Sequence, residues 1–229
     1  MATPQQVEPH QRNIRDLTTL AIRDLVQYFR TLDPDDLAGM QRSLSEALPE
    51  LVATYGTAAA SLAADWYDEL RDAAGPSGRT FRAVPAELPD IGRTDALAGW
   101  ATSTTDRGLV LSRLSGGLQR IVANADRGTV EGSVRSDPAD ARWARHASAN
   151  ACAFCALLAT RGAVYHSEKS AGLGAKYHDH CHCVAVPVWG AEEYEPPDYV
   201  ATWTRAYKET GSTQTATALS GMRQILGTN

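Results

Sequence analysis

The sequence predicts an α+β protein with a mostly helical N-terminal region, a small α+β module stapled by a Cys/His cluster, and a helical C-terminal tail. Three observations carry that prediction. Apolar residues recur at three- and four-residue steps over much of residues 14–136, all four cysteines fall between Cys152 and Cys183, and the short apolar runs 162–165 and 184–189 have strand character. The corresponding divisions are 1–138, 139–189 and 190–229. With 229 residues, 43% of them hydrophobic and 21% charged, the chain has the balance of a globular protein and the length for a sizeable core.

Ile14, Leu17, Ala21, Leu25 and Phe29 share one face of an amphipathic helix, with Arg15, Asp16, Arg23 and Asp24 turned elsewhere. Asp33, Pro34 and Asp35 announce a second helix by supplying an N-cap, a preset first-turn φ and a carboxylate near the positive end of the dipole. It should run through Leu37, Met40, Leu44 and Leu48 to a kink or interruption at Pro49, because proline lacks the backbone donor and crowds the preceding turn. The pattern resumes at Leu51, Val52 and Tyr55, crosses an alanine-rich stretch and closes with Trp66, Tyr67 and Leu70. Three prolines and two glycines between Gly75 and Pro89 mark an exposed connection. Helical periodicity returns after Thr94 with Leu97 and Trp100. It returns again after Asp106 with Leu111, Leu114, Leu118, Ile121 and Val122, although Gly116 and Gly117 weaken its middle. The helical region ends near Ser136, Asp137 and Pro138. Beyond the second apolar run, Glu195, Pro196 and Pro197 break the chain before Val200, Trp203 and Tyr207, a polar stretch, and finally Leu219, Met222, Ile225 and Leu226.

Composition excludes several classes. A net charge of -5 and a pI near 5.7 do not mark a chain that clings to nucleic acid or an anionic membrane. Any nucleic-acid contact would be local, and Arg142, Arg145 and Arg161 near the cysteines are too sparse to form a phosphate-binding stripe. No apolar run approaches a membrane span and no secretory signal is legible, so the chain is expected to make no membrane contact and to fold in a reducing cytoplasm. There is no Gly-x-Ser-x-Gly elbow, P-loop or dinucleotide fingerprint to support serine-hydrolase or nucleotide chemistry.

The cysteine window is the informative feature. Cys152-Ala-Phe-Cys155 is followed, after an intervening stretch, by His178-Asp-His-Cys181-His-Cys183, and five of the six histidines fall in or beside that window. Zinc favours four sulfur or nitrogen ligands at tetrahedral corners, and a Cys-x-x-Cys turn places two thiolates on one edge. Cys152, Cys155, His178, Cys181 and Cys183 are therefore the candidate ligands of a structural, zinc-type site. Cys181 and Cys183 would point to opposite faces of an ideal strand, so a bend is needed to bring both in. The competing set is Cys152, Cys155, His178 or His180, and one downstream cysteine. His146, His166 and His182 read as solvent-facing or core hydrogen-bonding residues. Two disulfides, four unrelated buried thiols, or a nucleophilic Cys152 or Cys155 activated by His178 are the alternatives.

The run ACAFCALLATRGAVY, an insert, and then HDHCHCVAVPVW resembles the Cys-x-x-Cys, Gly, His-x-x-Cys-x-Cys, Pro signature of the phage Mu protein F-like minor head proteins. It is also similar to related actinobacteriophage proteins called capsid maturation proteases. The likeness covers about Arg142 to Trp189, matching the five candidate ligands with Gly162 at the turn and Pro187 in the last strand. His180 and His182 depart from the small polar residue and arginine common there, which leaves the ligand set open. The resemblance implies a minor capsid protein of a tailed phage, located in the virion at the head interior or portal vertex, with the portal, scaffold or major capsid protein as partner. A maturation protease acting on scaffold or capsid protein is the alternative. Trp66, Tyr67, Trp100 and Trp203 are candidate partner contacts, set against core packing for each.

Overall fold

The computed structural model describes residues 2–166, 177–190 and 194–228. Among these, seven helices and two strands follow in the order α1 (Pro4–Phe29), α2 (Leu37–Ala74), α3 (Ile91–Ala101), α4 (Arg107–Ser136), β1 (Ala141–His146), α5 (Ala153–Ala159), β2 (Val184–Trp189), α6 (Tyr199–Glu209) and α7 (Thr215–Leu226). The protein is α+β and mostly helical, as its periodicities predict.

The helical region extends the sequence reading at both ends of its first element. Helix α1 begins at Pro4, ten residues before the apolar stripe, because its first turns bury His10 and Gln11, which no apolar periodicity reveals. Helix α2 starts one residue after Asp36, whose side chain accepts from the Gly39 N–H at 2.7 Å, so the cap is Asp36 and not the Asp33–Asp35 group. The helix then continues through Pro49 for 38 residues and stops at Gly75, whose φ of 58° is the left-handed conformation that suits glycine. Proline costs a helix one hydrogen bond, and burial of Leu44, Leu48 and Val52 on either side of Pro49 offsets it. Asp90 and Asp106 cap α3 and α4 by accepting from Arg93 N–H and Leu109 N–H.

One core layer unites Leu25, Leu44, Leu48, Leu114 and Leu118 from α1, α2 and α4 with Leu97 of α3. At Gly117 of α4 an added Cβ would run into the Leu97 side chain, so the glycine read as a weak point in α4 is the place where α3 seats.

A second cluster packs Tyr67 and Val130 against the antiparallel sheet, in which Ala141 pairs with Trp189 and His146 with Val184. The sequence reading placed the first strand at 162–165. The structure puts it at Ala141–His146, where Arg145 and His146 are buried charged and polar residues that disguise the strand. Only Tyr165 of the expected strand joins, through a bridge to Trp143 with N···O distances of 2.8 and 3.4 Å. That bridge explains Pro187 inside β2: Pro187 faces Trp143, whose own N–H and C=O are directed to Tyr165, so no donor is required of the proline.

A third cluster joins α5, α6 and α7 through Leu157, Trp203, Ala218 and Met222 to Cys155, Cys181 and Cys183. Asp137 ties the helical region to the sheet: it accepts from Tyr67 Oη, Arg71 Nε and Nη2, and Trp189 Nε1 at 2.8–3.2 Å. Trp66, Tyr67 and Trp203 are core residues, whereas Trp100 is 49% exposed.

Candidate metal centre

Cys152 is the N-cap of α5, so the Cys-x-x-Cys turn is a helix start: its Sγ accepts from the Cys155 N–H at 3.5 Å. The second half of the site lies between Tyr177 and the start of β2. His180, just before the turn, has a left-handed φ of 62°, and within the turn Cys181 and Cys183 face the same way, with their sulfurs 2.7 Å apart. This is the bend the spacing requires. Gly116 of α4 makes room for it, since a Cβ there would stand 2.9 Å from both Asp179 Cβ and His180 Nε2.

The five candidate ligands meet in two overlapping triads, Cys152/Cys155/His178 and Cys155/Cys181/Cys183, in each of which the ligand atoms all lie within 4.8 Å. Cys155 is the shared corner. Its Sγ is 3.5 Å from Cys181 Sγ, 3.4 Å from Cys183 Sγ and 3.9 Å from His178 Nε2, while Cys152 Sγ is 3.0 Å from His178 Nε2. Zinc–sulfur and zinc–nitrogen bonds of about 2.3 and 2.0 Å give tetrahedral edges of about 3.5–3.8 Å, so each triad is near the size of one face of such a site, while Cys152 and His178 must close on Cys181 and Cys183 from beyond 4.8 Å to complete it. All four cysteines are free thiols, and the disulfide alternative has no counterpart. His178 Nδ1 lies 2.6 Å from the carbonyl of Asp179, an arrangement that directs Nε2 toward the sulfurs. His180 belongs to neither triad. His166 and His182 are exposed, and His146 is buried, with Nδ1 3.3 Å from Tyr194 Oη and its imidazole pushed down to about 4 by burial.

The sulfurs are electrostatically unequal. Hydrogen bonds from Cys155 and then His178 bring Cys152 down to about 4 against burial, and the bond to Cys152 lifts His178 to about 9. Hydrogen bonding to its three cysteine neighbours pushes the Cys155 thiol up. Burial opposes a Cys183 thiolate, but Cys155, Cys181, Arg145 and Arg127 hold it well below the usual thiol range.

Sequence reasoning missed the residues around the cluster. Arg127 Nε and Nη2 donate to the carbonyls of Cys183 and Cys181 at 2.9 and 2.7 Å, Gln119 Nε2 donates to Cys181 O at 2.7 Å, and Gln11 Nε2 donates to His182 O at 2.9 Å. Helices α1 and α4 thus satisfy three successive carbonyls of the turn. Arg145, grouped with Arg142 and Arg161 as a phosphate candidate, is instead fully buried, with Nη1 3.4 Å from Cys183 Sγ and 3.8 Å from Cys155 Sγ. Fully buried arginines require partners, but nothing in a single sequence distinguishes Arg145 from the half-buried Arg142 and the exposed Arg161.

The class defined so far is a helical protein carrying an α+β Cys/His knuckle able to hold a metal ion. Residues 1–210 match the model of the VG15 protein family, and the chain belongs to that family. It is a family of viral gene proteins, which points to a phage protein. No curated protein and no solved structure matches the chain. Among the described residues, no helix is long and apolar enough to cross a membrane.

Proposed function

We propose that this protein is a minor head protein of a tailed phage, carried in the virion and engaged with the portal, scaffold or major capsid protein during head assembly. The observation that carries the reading is the pairing of the family match over residues 1–210 with a Cys/His knuckle folded into one cluster. The likeness of that knuckle to the phage Mu protein F-like signature supports the finer assignment. The metal is zinc, held by four of Cys152, Cys155, His178, Cys181 and Cys183. When bound it supplies cross-linking of the turn, α5 and β2, and not an open coordination position. Mass spectrometry of purified proheads and virions is the test. The chain is expected in both at low copy, and its absence from both overturns the assignment.

One observation favours the maturation-protease alternative: Cys152 and His178 form a close pair whose shifts match a thiolate and an imidazolium, the state of a cysteine nucleophile. The readings separate on alkylation and cleavage. The assembly reading expects zinc to protect at least three of the four thiols from iodoacetamide and Cys152→Ala phage to process its capsid proteins normally. Loss of processing with Cys152→Ala, while a zinc-retaining protein persists, favours the protease.

A further inference from the structure

Tyr177, one residue before His178, has the guanidinium carbons of Arg127 and Arg145 each 4.0 Å from its ring centre. Both guanidiniums therefore stack over the ring at cation–π distance, and its hydroxyl donates to Glu131 Oε1 at 2.9 Å. Each arginine also reaches a different ligand-bearing segment. Arg145, on β1, directs Nη1 at the sulfurs of Cys155 and Cys183, and Arg127, on α4, holds the carbonyls of Cys181 and Cys183. Both guanidiniums are buried, with 1% and 0% exposure for Arg127 and Arg145.

We infer that the Arg127–Tyr177–Arg145 stack is the device that sets the register of the metal site, with Arg145 as its central positioning residue. The inference rests on the metal reading above. Three pieces of chain carry the ligands: the start of α5 and, well downstream of it, His178 and the Cys181–Cys183 turn. The stack touches all three. It holds the neighbour of His178 by its ring, the turn by its carbonyls and Cys155 by its sulfur. It also places two positive charges beside a cluster that gathers negative charge when thiolates bind a metal. N–H···S bonds to bound thiolates withdraw charge from sulfur and fix its direction, the part usually played by groups behind the ligands, whose loss typically costs about 10–100-fold in metal affinity. A lysine keeps the charge at Arg145 but not the planar face that stacks on Tyr177, so charge and stacking are separable.

The test is zinc affinity by chelator competition together with the absorption spectrum of the cobalt(II)-substituted full-length protein. Four proteins are compared: wild type, Arg145→Met, Arg145→Lys and Tyr177→Phe. Arg145→Met is expected to weaken zinc about 10–100-fold and to shift the sulfur-to-cobalt charge-transfer band. Arg145→Lys should recover part of the affinity, and Tyr177→Phe, which keeps the ring, should stay near wild type. Unchanged affinity and an unchanged band in Arg145→Met overturn the inference and leave the metal reading standing. A wild-type protein that binds neither metal overturns both. Should Arg145→Met not fold, Arg145→Lys decides: wild-type affinity and spectrum there remove the planar stack from the account, and a weakened, shifted site supports it.

Discussion

Arg127 of α4 spans the two ends of the Cys181–Cys183 turn, donating to one carbonyl at 2.7 Å and to the other at 2.9 Å from a fully buried position. The metal-site turn is therefore bonded directly to the long helices. Arg127→Met leaves two buried carbonyls without this donor and is expected to cost about 2–5 kcal/mol in urea unfolding. Arg82→Met, at a side chain 65% exposed, should change stability by less than about 0.5 kcal/mol and serves as the control.

Asp137 should be the most costly single carboxylate outside the metal site. Asp137→Ala strands the nearly buried Arg71 without its bidentate partner and is expected to lose about 3–5 kcal/mol in the same assay. Burial pushes this carboxyl up, but Arg71, the Ala139 N–H, Trp189 and Tyr67 outweigh it and hold the pKa below its ordinary value of 3.8. The folded state thus binds this proton less readily than the unfolded state. Its stabilisation is present above 3.8 and is lost as pH falls through the lower folded value, so the acid limb of a melting-temperature profile should flatten in Asp137→Asn.

Glu131 acts in the opposite sense. Burial lifts its carboxyl to about 7, partly offset by the Tyr177 hydroxyl and nearby arginines, from an ordinary value of 4.5. The folded state holds the proton after the unfolded state has released it, so this group's contribution falls as pH rises from 4.5 to about 7. Melting temperatures at about pH 4 and about pH 8, on either side of that window, should differ less in Glu131→Gln than in wild type. An equal drop in both proteins would remove Glu131 from the account.

Much of this architecture is legible in the sequence because packing and periodicity agree. Leu44, Leu48, Leu114 and Leu118 mark helix faces that the structure buries, and the Cys-x-x-Cys and Cys-x-Cys spacing brings its members into one cluster. The reading fails where polar residues do the packing. His10 and Gln11 are interior positions of α1: His10 pairs with Asp126 at 2.6 Å, and Gln11 bonds to the His182 carbonyl. Arg145 and His146 hide β1 in the same way. Most such partners are distant in sequence, as with Arg145 and Cys183 or Gln11 and His182, and no local pattern encodes them.

Gly116 and Gly117 separate two jobs on one helix. A Cβ at Gly116 meets Asp179 and His180 at 2.9 Å and should push the metal-site turn outward, lowering zinc affinity in chelator competition. At Gly117 it meets Leu97, so Gly117→Ala should instead lower stability by about 1–3 kcal/mol and leave metal affinity near wild type. The same affinity change in both variants would contradict this division.

Metal content read together with thermal unfolding tests the central claim most directly. Structural zinc contributes on the order of 10 kcal/mol, and because the site does not exist in the unfolded chain, that energy becomes folding energy. The purified protein is expected to hold about one zinc per chain and to melt at a lower temperature after chelation. Cys155→Ser should lose the metal, because Cys155 is the corner that both triads share, whereas one of Cys152, His178, Cys181 and Cys183 should prove dispensable. A protein without zinc whose four thiols titrate as two disulfides, or one whose melting is unchanged by Cys155→Ser and by chelator, would contradict the account.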